Sequence, residues 1–254
     1  MTNDLDNLRV VLVATRNPLN IGAVARAMSN FGALRLRVVH PYEKAFREAR
    51  SAVGASELLA KAEVYDEVGE AVADCKLVVG TTAVGARDMQ HRLYKLKDGA
   101  LSIKRQLQTA PVALLFGSER YGLSNQELSH CHWVMRIPTR EEHGSMNLGQ
   151  AAAVCLYELV RGRKTAVPNN VSSKSAKKER VSANSGEIER LTQVLLQVLQ
   201  DSGYIKPRAV APDEKLRRLI RRLHLNPNDA DVLLGMMRQV AWKLGVNEGG
   251  SKKD

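Results

Sequence analysis

Three short stretches of the chain combine polar side chains and glycines in a way that packing alone does not require. The first is Asn17-Pro18-Leu19-Asn20-Ile21-Gly22-Ala23-Val24-Ala25-Arg26. Asn17 and Asn20 can each donate and accept hydrogen bonds, and Asn20 reads as a helix N-cap. Gly22 admits a ligand or another backbone at close range. Arg26 lies about 140° around a helix from Ile21, away from the apolar face. It reads either as a solvated surface arginine or as a clamp for a phosphate or hydroxyl near a helix N-terminus.

The second stretch is Leu115-Phe116-Gly117-Ser118-Glu119-Arg120-Tyr121-Gly122-Leu123-Ser124. Two glycines five apart after an apolar run suit a backbone loop that wraps a ligand. Ser124-x-x-Glu127 is a capping box for a following helix. Glu119 either pairs with Arg120 at the surface or orients groups in a site. The third stretch runs from Ile137-Pro138 to Gly144-Ser145-Met146-Asn147-Leu148-Gly149-Gln150. Asn147-x-x-Gln150 again fits a capping box. Gly149, Ala151, Ala152 and Ala153 are small enough for a closely packed helix.

Several chemistries are poorly supported. GxSxG is absent, and no histidine or acid is set by spacing to activate Ser145 as a nucleophile. Neither GxGxxG nor GxxxxGK[ST] occurs. The three cysteines, Cys75, Cys131 and Cys155, are far apart and form no CxxC pair, so they read as reduced core residues. His130 and His132 flank Cys131, but in an extended chain the flanking side chains leave on the opposite face to the cysteine. No metal is expected.

These loops need a scaffold. Short β-branched runs alternate with helical patterns over the first 160 residues. Strands are expected at 9–14, 34–39, 76–80, 112–116 and 133–137. Helices are expected at 20–31, ended by Gly32, and at 43–60, 66–73, 100–108, 125–130 and 148–162. This alternation predicts an α/β domain with a mainly parallel sheet, whose ligands bind at the carboxyl ends of the strands.

Composition changes after Arg163. Residues 164–184 are serine-rich and basic and read as a flexible linker. Three amphipathic patterns follow, at 187–201, 213–224 and 229–244. Their expected starts are Ser185 for the first and Asn228 for the third, with Gly203 as a stop after the first. The organisation expected is thus a domain over 1–163, a linker over 164–184 and a small helical unit over 185–247. The chain carries 38 lysines and arginines against 27 acids, a net of +11. Residues 1–160 hold 19 bases and 17 acids, so nearly all of the excess lies in the C-terminal third. A basic appendage on a near-neutral domain points to a polyanionic partner such as nucleic acid. The N-terminus carries acids where a signal peptide carries bases, and no apolar run is long enough to cross a bilayer. A cytoplasmic protein without membrane partners is therefore expected.

Taken in order, NPxNIGAxxR, LxFGxExxGLS and IPxxxxxxSMNL resemble the signature of the SPOUT methyltransferase superfamily. Within it they are similar to the TrmH-type ribose 2′-O-methyltransferases, over roughly residues 8 to 162. The chain plan further resembles the TrmJ-type tRNA methyltransferases, which modify nucleotide 32 of the anticodon loop. The resemblance implies a parallel sheet with a deep C-terminal trefoil knot, a homodimer, and S-adenosylmethionine bound by the knot loops. Matched by motif, the cofactor positions are Thr81, Thr82 and Ala83, then Gly117, Ile137, Gly144, Ser145, Met146 and Asn147. Arg26 and Ser145 match the catalytic positions, and Asn20 and Glu119 the remaining motif residues. One departure bears on substrate: the TrmJ-type pattern has an arginine directly after Ala83, where this chain has Val84. An rRNA target, or another tRNA position, stands as the alternative, and a non-catalytic knotted RNA-binding protein as a further one.

Overall fold

The computed structural model describes residues 5–46, 56–83, 91–140, 142, 144–161, 182–206, 209 and 211–249. Seven strands form one sheet: β1 (Leu8–Val13), β2 (Arg35–Val39), β3 (Glu63–Tyr65), β4 (Leu77–Thr81), β5 (Leu93–Lys95), β6 (Val112–Phe116) and β7 (Trp133–Arg136). Their order is β3-β2-β1-β6-β4-β7-β5, and every pairing is parallel. Leu8-Arg9-Val10-Val11-Leu12-Val13 is buried at every position, as a strand covered on both faces must be. The α/β expectation therefore holds. The two short edge strands, β3 and β5, are additions to it. Three residues are too few to display an alternation, and both strands are only half covered.

The described helices are α1 (Pro18–Phe31), α2 (Ser56–Ala60), α3 (Val68–Ala71), α4 (Leu96–Leu107), α5 (Asn125–Ser129), α6 (Leu148–Val160), α7 (Ser185–Asp201), α8 (Pro212–Arg222) and α9 (Pro227–Gly249). On one face of the sheet, Ile21, Val24 and Met28 of α1, Ile103 of α4, and Leu156 and Leu159 of α6 close around Val10, Leu12 and Leu114. On the other, Val68 of α3 and Leu128 of α5 cover Val11, Val13 and Leu115. All three cysteines are free and buried. Burial pushes the Cys131 and Cys155 thiols up to about 12, so they behave as core residues. Part of the helix expected at 43–60, and most of the linker at 164–184, lie outside the described residues.

The basic C-terminal helices pack against the layer that covers the sheet, Ser185 and Gly186 meeting Cys75 and Ala73. Their own core is Ile188, Leu191, Leu216, Ile220 and Ala230, each worth about 1.5–3 kcal/mol for the larger side chains when fully buried. α7 begins at Asn184, whose side chain accepts from the Glu187 N–H in a capping box. The cap is therefore Asn184 and not Ser185, and the Ser185 and Gly186 N–H groups instead donate to the Cys75 and Ala73 carbonyls at 2.9 Å each. Likewise Asn226, not Asn228, opens α9, its side chain accepting from the Asp229 N–H at 2.9 Å.

Three of the four arginines of α8 are buried: Arg217, Arg218 and Arg221. Arg217 holds the Glu189 carboxylate through Nε and Nη2 at 2.9 Å each and donates from Nη1 to Ser129 Oγ at 3.0 Å. Arg221 sits 3.7 Å from the same carboxylate. Burial pulls its guanidinium down to about 10. Much of the basic charge of this helix is thus consumed in fixing it to α5 and α7.

Candidate active site

The site is built where four neighbouring strands end. β1, β6, β4 and β7 lie side by side, so the loops after them emerge along one edge. β1 leads into Asn17, which is the cap of α1: its backbone is extended (φ −98°, ψ 116°) and its side chain accepts from the Leu19 N–H at 2.9 Å. Pro18 takes the first helical position, where its missing N–H costs nothing. Asn20 is therefore one turn inside the helix rather than its cap, and its carboxamide is free to reach sideways.

Its partners come from distant parts of the chain. Asn20 Nδ2 donates to Glu119 Oε1 at 3.1 Å, and Asn20 Oδ1 accepts from Asn147 Nδ2 at 2.9 Å. Glu119 also accepts from the Arg16 and Asn17 N–H groups at 3.2 and 3.0 Å. Asn147 caps α6, its Oδ1 accepting from the Gly149 and Gln150 N–H groups at 2.9 and 3.3 Å. A directional chain results: helix N–H to Asn147, Asn147 to Asn20, Asn20 to carboxylate. Every amide atom in it has one role, and such chains polarise each link. Partial burial on its own raises the Glu119 carboxyl. The hydrogen bonds from its own N–H, Asn20, Arg16 and Asn17 outweigh that and hold it below the usual range. Glu119 thus joins the loop after β1 to Asn20 instead of pairing with its neighbour Arg120.

Close backbone approaches fix the same loops. A Cβ at Gly117 would lie 2.1 Å from the Gly122 carbonyl carbon, and one at Gly149 would lie 2.5 Å from Ala23 Cβ. The first lets the loop after β6 fold back on itself, and the second lets α6 press onto α1. Ser124 closes its capping box on α5 with Glu127.

The expected cofactor residues fall on three adjacent strand ends. Thr81 ends β4 and donates from Oγ1 to the Leu115 carbonyl at 2.8 Å, while the Thr82 N–H donates to the Met135 carbonyl at 3.0 Å. The Thr82–Ala83 backbone is thereby held between β6 and β7. Gly117 follows β6, and half-buried Ile137 follows β7. Beyond Ile137 the chain turns, Thr139 Oγ1 donating to the Gly144 carbonyl at 3.2 Å, and returns through exposed Ser145 and half-buried Met146 to Asn147. Backbone groups, two threonines and the apolar Ile137 and Met146 at these strand ends make a donor set that would suit an adenosine-bearing cofactor. Arg26 and Ser145 are exposed and are not members of the hydrogen-bonded hub. Val84 lies outside the described residues.

The profile of the SpoU rRNA Methylase family matches residues 7–157, which spans all three loops and the strands that carry them. The chain belongs to the SpoU methylase family. Its likeness to curated members extends past the matched domain. It is 37% identical over 240 residues to the tRNA (cytidine/uridine-2′-O-)-methyltransferase TrmJ of Sodalis glossinidius, covering 93% of this chain and 92% of that protein. Against the TrmJ of Yersinia pestis (strain Pestoides F) the identity is 35% over 243 residues, with the same coverages. Among solved structures, TrmJ from Z. mobilis ZM4 superposes with a TM-score of 0.77 at 29% identity, over 91% of this chain and 98% of that one. The likeness to these TrmJ proteins therefore takes in the helical extension as well as the sheet. Among the described residues no helix is long and apolar enough to cross a membrane, and no group of three or more His, Cys, Asp or Glu side chains is arranged to hold a metal ion.

Proposed function

We propose that this chain transfers a methyl group from S-adenosylmethionine to a ribose 2′-hydroxyl of tRNA, at the cytidine or uridine of position 32 in the anticodon loop. The observation that carries the reading is the Glu119–Asn20–Asn147 hub, which binds the three signature loops of a methylase family at one edge of the sheet. The tRNA substrate rests on the names of the similar TrmJ proteins. Bound against the Thr81–Ala83, Gly117 and Ile137 backbone, the cofactor would supply an electrophilic sulfonium methyl for in-line attack by oxygen.

The chain's own groups then have positioning work, which such a transfer needs more than covalent help. A guanidinium is essentially never deprotonated, so Arg26 is no base; it binds the phosphate beside the target and orients the hydroxyl. Exposed Ser145 orients the 2′-hydroxyl proton, which passes to solvent water as the oxygen–methyl bond forms and the sulfur–methyl bond breaks. Asn20, Glu119 and Asn147 keep the Arg26 helix and the Ser145 loop in register. The deep knot, the homodimer and a cytoplasmic setting belong to the same reading. So does RNA contact by the exposed bases of residues 185–247, among them Lys215, Arg222, Arg238 and Lys243.

The test is methyl transfer from labelled S-adenosylmethionine to unmodified tRNA and rRNA, followed by nucleoside mass spectrometry. We expect 2′-O-methylcytidine or 2′-O-methyluridine from tRNA and none from a transcript with a 2′-deoxy residue at position 32. Label in rRNA alone would favour the second reading, a 2′-O-methyltransferase of rRNA, to which the SpoU family name points. Arg26→Ala is expected to lower turnover at least 100-fold, on the scale of a lost positioning group, with cofactor affinity kept. Equal loss of both would overturn the role given to Arg26.

A further inference from the structure

We propose that Tyr121, backed by Arg120, is a stacking platform for a base of the unpaired RNA segment that carries the target ribose. This rests on the RNA-methylating reading above and adds a substrate-positioning group to it.

The platform is a rigid turn. Gly117 cannot carry a side chain, because a Cβ there would meet the Gly122–Leu123 backbone at 2.1–2.4 Å. Gly122 takes a left-handed conformation (φ +66°), and its N–H donates to the Ser118 carbonyl at 2.8 Å. Ser118 Oγ accepts from the Tyr121 N–H at 3.3 Å. On its near side the turn is anchored by Glu119, which grips the loop after β1. Arg120 and Tyr121 are thus presented by a turn that is fixed at both ends and lies two residues from the hub.

The turn presents an aromatic ring and a guanidinium side by side. Tyr121 is 66% exposed, and the Arg120 guanidinium carbon sits 5.1 Å from its ring centroid. An exposed aromatic held on a rigid backbone contributes little to folding, yet offers a flat apolar face at low ordering cost. Nucleobases splayed from single-stranded loops stack on such faces, and an adjacent guanidinium either extends the stack or meets the neighbouring phosphate. The same arrangement would not serve a duplex, whose bases are already stacked.

The experiment is steady-state methyl transfer on the RNA that the wild-type chain modifies, with Tyr121→Ala and Tyr121→Phe variants. We expect Tyr121→Ala to raise the KM for RNA about 5- to 150-fold, the range that loss of one base–aromatic stack gives. Its kcat at saturating RNA and its affinity for S-adenosylmethionine should stay within about twofold, and Tyr121→Phe should behave as wild type. Added fluorescence from a Tyr121→Trp variant should be quenched by unpaired RNA and not by duplex RNA. An unchanged KM in Tyr121→Ala, a loss of cofactor affinity matching the loss of activity, or a changed sedimentation coefficient would each overturn the proposal. If wild-type protein methylates no RNA, the parent reading fails by itself. The quenching measurement then decides the platform alone.

Discussion

Replacing Glu119 by glutamine removes one charge and leaves the shape intact, so its effect follows from hydrogen-bond direction. The carboxylate accepts from two N–H groups of the β1 loop and from Asn20 Nδ2. A glutamine has one oxygen and one NH2, so at least one donor must face a donor. Turning the Asn20 amide to meet the new NH2 would aim Asn20 Nδ2 at Asn147 Nδ2. Asn147 cannot turn in response, because its oxygen caps α6. The mismatch therefore cannot be passed along the chain and dissipated. A hydrogen bond to a charged group is worth about 1.5–3 kcal/mol, and this site is open enough to water that the lower end applies. We expect a loss of about 2 kcal/mol of stability, or roughly 4–8 °C in Tm for a chain of this size. Turnover should fall further than stability, about 100-fold, because a shift near 1 Å in catalytic loops costs that much. Thermal unfolding and single-turnover methyl transfer at saturating RNA and cofactor measure the two effects separately. A Glu119→Gln chain with unaltered Tm and with turnover within twofold of wild type would refute the directional chain.

Three further outcomes are expected. Gly149→Ala should cost about 1–3 kcal/mol by overpacking, because its Cβ would lie 2.5 Å from Ala23 Cβ; adding Ala23→Gly should return most of it in denaturant unfolding. Burial holds His130 and His132 down to about 3, with Arg217 and Arg221 adding to the first and Arg221 and His224 to the second. Both rings are neutral when folded, whereas the unfolded chain takes up their protons below about 6.5. Stability is therefore lost as pH falls through that range, by about 1.4 kcal/mol per ring between pH 7.5 and 5.5, and a flat profile in urea titrations would contradict this. Arg217→Ala leaves the half-buried Glu189 carboxylate short of its bidentate partner, which should destabilise by about 3 kcal/mol, the low end for such a pair. The double variant Arg217→Met/Glu189→Gln should cost less than that single change.

The sheet could be read because its inner strands are long, β-branched and bounded by helical periodicity. β3 and β5 could not, since three-residue edge strands are defined by pairing rather than by pattern. In the site, residue types were visible but partnerships were not. Asn20 carries the composition of a cap, and only the helix start at Pro18 transfers that role to Asn17. The Asn-Pro dipeptide was the signal that could have placed it. Glu119 offered its neighbour Arg120 as a partner by proximity in sequence. The pairing that forms spans about a hundred residues and depends on β1 lying beside β6. The charge of the α8 arginines is legible in the sequence, but their burial is not. Glu189, 28 residues before Arg217, decides the matter.

The hub has a consequence for the order in which the protein comes into being. Asn20 and Asn147 are separated by 127 residues. At translation rates of about 5–20 residues per second, the first waits roughly 6–25 seconds for the second to be made. Until then Glu119 and Asn20 have no tie to the Ser145 loop, and the turn after β7 does not exist. A nascent or truncated chain therefore carries Asn20 without its Asn147 partner. On the proposed function, the connectivity of the fold would withhold methyl transfer until the chain is nearly complete.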